Sequence, residues 1–204
     1  MDILVENLKK IQENLTSPEI AKKWGLLSLC RMEYSFIKFT AFDNLELDFS
    51  FSEIVDECIN FVCNGKNFDM QNRIKQIDSC FEMLYAYEEQ NPEKFFCLNI
   101  YFSQAMQNLC DYLELLATGI INHNSNIDDF ILSTISEDFL IDYDELESLE
   151  DFAEHELVLE EINRIWQDYE YIQTCTNEQL QKQAESYRKL NVQGIPEHWN
   201  FQES

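Results

Sequence analysis

Glycine and proline are scarce in this 204-residue chain, with four and three copies. A fold of strands joined by tight turns needs more turn residues than that, so an all-β frame is excluded. Basic residues are scarce too: 14 Lys and Arg face 39 Asp and Glu, a net charge of −25. Phosphate contacts need Lys and Arg, so nucleic acid is disfavoured as a ligand. An anionic membrane surface is disfavoured for the same reason. No stretch approaches 18 uninterrupted apolar residues, so no membrane span is expected. The start, Met1-Asp2-Ile3-Leu4, carries an acid and lacks a long apolar run, unlike a secretory signal. Cysteine is present seven times, an odd number, with no C-x-x-C. Most of these cysteines sit in apolar helical patterns, which predicts buried free thiols, a reducing compartment and hence a cytoplasmic location.

Catalytic and metal signatures are also missing. There is no Gly-rich phosphate loop, no Gly-x-Ser-x-Gly and only three His. An EF-hand counted from Asp142 would need Gly at its sixth position, where Glu147 stands. His155-Glu156 begins an H-E-x-x-H, but Leu159 occupies the place of the second His. No Glu stands three residues before His123, His155 or His198, so the di-iron bundle motif is absent. Among 39 acids, carboxylate pairs arise by chance and assign no general acid or base. The expectation is no catalytic residue, no cofactor and no metal beyond weak surface binding of Mg²⁺ or Ca²⁺.

What the chain does hold is a helical pattern. Hydrophobic residues make up 45% of it, with 15 Phe and 9 Tyr. A chain of this size can bury roughly 70% of its unfolded surface without a staple. Apolar residues recur at helical spacing in seven segments. These are Ile3–Leu15, Ile20–Tyr34, Ile54–Val62, Ile74–Leu84, Leu98–Leu116, Phe130–Leu140, and Val158–Ile172 continuing through Leu180, Ala184 and Tyr187. Ser17-Pro18 marks a helix start, and Ser50-Phe51-Ser52-Glu53 fits a capping box. Gly65 and Gly119 mark stops, and Gly194-Ile195-Pro196 marks the end of the last helix. The reading is one all-α domain over residues 1–204, a bundle of about seven helices around the apolar central segment Leu98–Leu116. Arg31 sits on a strongly apolar stripe. It is either a buried, paired Arg fixing helix register or a snorkelling surface Arg.

Charge is distributed unevenly. Residues 1–100 hold 17 acids and 10 bases; the rest hold 22 and 4. Between Lys94 and Arg164 there are sixteen carboxylates and no Lys or Arg. Exposed helices usually interleave Glu with Lys at i,i+4, but Glu147 faces Asp151 and Glu150 faces Glu154 at that spacing. Each like-charged pair costs about 0.2–0.5 kcal/mol. Such a run suits a basic partner outside the chain. The expected partner-binding residues are Asp138, Asp142, Tyr143, Asp144, Glu145, Glu147, Glu150, Asp151 and Glu154. Tyr143, with acids on both sides, is the aromatic anchor; Trp166, Tyr169 and Tyr171 lie on or beside a core stripe.

Several segments in order resemble the YjaG-like helical domain of unknown function. They are Leu29-Cys30-Arg31 with Tyr34-Ser35-Phe36, then Ile77-Asp78-Ser79-Cys80 leading to Gln104–Gly119. Glu160–Trp166 and Leu180–Gly194 close the series. The resemblance spans most of the chain and implies an all-α fold with no established catalytic residues. By kind (small, cytoplasmic, acidic, without catalytic motifs) the chain also looks like a bacterial toxin immunity protein of the contact-dependent growth inhibition type. That likeness implies a basic nuclease toxin as partner, blocked by occlusion of its nucleic-acid-binding surface. The alternatives are a housekeeping helical protein whose acidity serves solubility, and a carboxylate- or metal-dependent enzyme.

Overall fold

A computed structural model describes residues 10, 13–15, 17–42, 47–90, 96–120 and 156–189. Among these residues there are six α-helices and no strand. They are α1 (Pro18–Phe42), α2 (Phe51–Asn64), α3 (Met70–Gln90), α4 (Phe96–Thr118), α5 (Glu156–Thr174) and α6 (Asn177–Tyr187). Lys10, Glu13 and Asn14 are also helical, and Leu15 after them is buried.

The helix ends follow local chemistry. Pro18 opens α1 at the position where a missing N–H costs nothing. Ser50 caps α2 by accepting from the Glu53 backbone N–H at 3.3 Å. Gly65 and Gly119 end α2 and α4 with φ of 66° and 70°, the left-handed region that Gly enters without strain.

The expected unbroken helix from Val158 to Tyr187 is instead two helices. Thr176 interrupts it: its side chain accepts from the Gln179 N–H at 3.2 Å, and the Gln179 side chain accepts from the Thr176 N–H at 2.8 Å. This reciprocal capping box starts α6 and overrides the continuing apolar period.

The described packing is organised around α1, which lies against α2, α4, α5 and α6. α3 joins through α4, and α6 also packs on α2. The reason is the breadth of apolar surface on α1, where Ala21, Trp24, Leu26, Leu27, Leu29, Cys30 and Met32 are all buried. A helix apolar on several faces can bury them only by being surrounded. α4 has a similar character, with Met106, Leu109 and Leu113 fully buried, each contributing about 1.5–3 kcal/mol of transfer free energy.

The α1–α4 crossing is close because of Gly25. A Cβ placed there would stand 2.6 Å from two ring carbons of Tyr112. The Tyr112 phenol crosses α1 to donate to the Lys22 carbonyl at 2.7 Å. Burial holds that phenol far above its ordinary pKa, so it stays a neutral donor.

Candidate functional site

The expected partner-binding residues, Asp138, Asp142, Tyr143, Asp144, Glu145, Glu147, Glu150, Asp151 and Glu154, all lie outside the described residues. The sixth apolar segment and the stop at Gly194-Ile195-Pro196 lie outside them as well. The neighbouring aromatics Trp166, Tyr169 and Tyr171 are half-buried against the core. Trp166 and Tyr169 meet edge-to-face at 5.9 Å, and the Tyr171 phenol donates to the Gln179 carbonyl at 3.0 Å.

The described charges converge on a buried seam where α1, α2, α5 and α6 meet. Arg31 of α1 is 1% exposed and Asp168 of α5 is 3% exposed. Arg31 Nη1 stands 3.7 Å from Asp168 Oδ2. The Tyr187 phenol, on α6, donates to Asp168 Oδ1 at 2.6 Å. The Arg31 guanidinium also faces the Tyr187 ring, 5.7 Å from its centroid. Arg31 is therefore the buried, paired Arg and not the snorkelling one. Desolvation, with Asp168 beside it, pushes the Tyr187 phenol up to about 12, so it serves as a neutral donor to the carboxylate.

Beside this trio lies a second pairing. Glu33, two residues along α1 and 3% exposed, accepts both arms of Arg188, with Nη2 at 2.9 Å and Nε closer still. The same guanidinium reaches Asp56 on α2 through Nη1 and the Ser52 carbonyl at 3.4 Å. Hydrogen bonding to Glu33 raises the pKa of Arg188 further, so the guanidinium stays charged. Arg73 of α3 repeats the motif at the surface, holding Glu57 of α2 through two 2.8 Å contacts. Chemically these are ion pairs between helices. Sequence reasoning singled out Arg31 but missed Glu33, Asp168 and Arg188. The available signal was an acid two residues from Arg31 on an apolar helix.

The thiols are quiet. Burial raises Cys30, Cys58, Cys63, Cys80, Cys110 and Cys175, with Cys63 pushed up to about 11 and Cys110 to about 12. None of these six carries the lowered pKa of an activated nucleophile. All are free, and five are buried, as their apolar settings predicted. Among the described residues no group of three or more His, Cys, Asp or Glu is placed to hold a metal ion. None of the described helices is long and apolar enough to cross a membrane.

One open cleft of about 320 Å³ lies between the C-terminal part of α1 and the turn entering α2. Its floor is aromatic: Phe36 stacks on Phe51 at 4.1 Å and tilts against Phe49 at 6.4 Å. Ile37 and Leu47 form walls, and Ser50 and Ser52 the polar edge.

With this geometry in place, comparison with known proteins returns no matching family model, curated protein or solved structure.

Proposed function

We propose that this chain is an acidic binding protein that neutralises a basic partner, an immunity protein blocking a nuclease toxin by covering its nucleic-acid-binding surface. The observation that carries the reading is the run of sixteen carboxylates without Lys or Arg between Lys94 and Arg164. Within it, Asp138 to Glu154 supplies the contacts and Tyr143 the anchor. The carboxylates take the place of phosphates on the Lys and Arg side chains of the partner. In this reading the segment completes a bundle of about seven helices, and the location is cytoplasmic.

The use of cations elsewhere supports it. The chain has four arginines, and Arg31, Arg73 and Arg188 are each closed on carboxylates of neighbouring helices. Glu19, Asp69, Glu82, Glu89, Glu114 and Glu170 meanwhile face solvent. Three of the four arginines are thus engaged by the chain's own carboxylates, while Lys10, Lys66, Lys75, Lys182 and Lys189 face solvent with these acids; the excess of acids over bases in the whole chain leaves the net field negative. Such a field steers a basic protein at about 10⁸–10⁹ M⁻¹s⁻¹ at low salt. A stable complex would bury about 1,600 Å² in total.

The test is stopped-flow association with a cognate basic nuclease domain, for the natural protein and for Asp144→Lys, Glu147→Lys, Asp151→Lys combined. The expected result is a steep loss of association rate and a flatter salt dependence. Unchanged rate and salt dependence would remove this surface from the account.

A further inference from the structure

The α1–α4 crossing buries polar atoms that the ion pairs above do not use. Ser28 on α1 is 5% exposed, and Asn108 and Asp111 on α4 are each 8% exposed. Ser28 Oγ, Asn108 Oδ1 and Asp111 Oδ2 have no hydrogen-bond partner among the described residues. The other ends of two of these side chains are engaged: Asn108 Nδ2 lies 3.9 Å from Met32 Sδ, and the Gln107 amide donates to Asp111 Oδ1 at 3.1 Å. Every Lys and Arg seen in an ion pair among the described residues is held by some other acid than Asp111. A buried carboxylate with an orphaned oxygen and no cation beside it is unfavourable, so the site calls for an explanation.

Two contacts set the register of the crossing. Gly25 stands against the Tyr112 ring, and Met32, further along α1, meets Asn108. Rising numbers on α1 thus meet falling numbers on α4, so the two helices run antiparallel. Ser28 lies between Gly25 and Met32 on the contact stripe of α1, and Asp111 lies between Asn108 and Tyr112 on α4. At 3.6 residues per turn, Ser28 and the Asn108–Asp111 edge fall on the same side of the line of contact. The orphaned atoms therefore belong to one narrow seam between α1 and α4. All are oxygens: a hydroxyl, an amide carbonyl and a carboxylate, of which only the hydroxyl can also donate.

We infer that this seam binds a monovalent alkali cation, held by Ser28 Oγ, Asn108 Oδ1 and Asp111 Oδ2. Carboxylate and carbonyl oxygens are the ligands that hard cations take. One cation would engage all these oxygens and neutralise Asp111. A water could meet the hydrogen-bonding needs but would leave the buried charge uncompensated. The charge count selects the class, because one carboxylate with two neutral oxygens balances a single positive charge. Mg²⁺ demands octahedral room and keeps several waters, which a seam between closely crossed helices does not offer. A divalent site would also want further acids, and among the described residues no group of three or more His, Cys, Asp or Glu is placed for one. The close approach at Gly25 favours Na⁺ over the larger K⁺. The inference is independent of the acidic segment and of any partner.

The test is Tm of the full chain in NaCl, KCl and choline chloride at equal ionic strength, with chemical shifts followed through the NaCl titration. Na⁺ at about ten times its Kd is expected to raise Tm by about 3–6 °C above the value in choline, with K⁺ doing less. Saturable shifts are expected at Ser28, Asn108 and Asp111. Asp111→Asn keeps the side-chain shape, removes the charge and should erase the difference between Na⁺ and choline. Glu114→Gln makes the same charge change at an exposed position of α4 and should leave that difference intact. Equal Tm in Na⁺ and choline would overturn the inference in favour of water. Equal effects of Asp111→Asn and Glu114→Gln would overturn it in favour of general screening. Ser28→Ala removes one ligand without touching the charge and should raise the Na⁺ midpoint several-fold. An unchanged midpoint in Ser28→Ala would overturn the site even where Asp111→Asn fails to fold.

Discussion

Replacing Gly25 by Ala sets two effects of known sign against each other. In a helix interior the change gains ~1 kcal/mol of helix propensity. Against it stands the Tyr112 ring, with two carbons 2.6 Å from the new Cβ. Carbon atoms pack best at about 3.5–4.0 Å, so the ring must retreat by about 1 Å. It has little room, being 5% exposed and tied to the Lys22 carbonyl at 2.7 Å. Overpacking of this kind costs about 1–3 kcal/mol. Loss of the buried phenol hydrogen bond adds about 1–3 kcal/mol. The clash wins, and a net loss of roughly 1–5 kcal/mol is expected after the propensity gain. For a chain of this size that lowers Tm by roughly 2–20 °C. Urea denaturation of Gly25→Ala, Tyr112→Leu and the double variant isolates the cause. The cycle should show Gly25→Ala becoming neutral or stabilising once the ring is gone. If Gly25→Ala stabilises the protein with Tyr112 in place, the close α1–α4 crossing is wrong.

Other consequences follow from the same structure. Arg188→Ala strands the buried Glu33 carboxylate and should cost about 3 kcal/mol by chemical denaturation, with Arg188→Lys recovering only part because a lysine cannot hold Glu33 and Asp56 together. Thr176→Ala removes one half of the box that starts α6 and should cost about 1 kcal/mol, whereas Thr176→Ser should be close to neutral. Cys63, Cys110 and Tyr187 keep their protons in the folded chain up to about 11, 12 and 12, against ordinary values of 9.0 for a thiol and 10.0 for a phenol. Their folded-state pKa values are raised, so their stabilisation is complete below the ordinary values and is lost as pH rises through the folded ones. Tm measured in reductant should therefore fall steadily above about pH 9. A flat alkaline profile would contradict the burial of these groups.

Local rules made much of the fold legible in the sequence. The Ser50 cap, the glycine stops at Gly65 and Gly119, and the apolar stripes of α1 to α5 depend on residues a few positions apart, and among the described residues the structure places them as the spacing predicts. Thr176 is local too, yet its box was hidden under an apolar period that runs on through Leu180 and Ala184. Gly25 was less legible still. A glycine inside a helix signals a close approach only when the opposing ring is known, and Tyr112 is far away in the chain. The seam of Arg31, Glu33, Asp168 and Arg188 joins residues from both ends of the described sequence, and no spacing rule pairs them. Arg31 alone stood out, because a charge on an apolar stripe demands a partner. The acidic segment is legible as composition and charge, and its nine expected contact residues fall outside the described part of the chain.

The central claim is that the segment from Asp138 to Glu154 occupies the surface with which a basic nuclease grips nucleic acid. The most direct test is a titration of nuclease activity, using a cognate basic nuclease domain and a nucleic acid substrate. The natural protein should abolish cleavage at one equivalent, and the variant reversed at Asp144, Glu147 and Asp151 should leave cleavage intact at the same ratio. Undiminished cleavage with the natural protein, or equal inhibition by the reversed variant, would contradict the account.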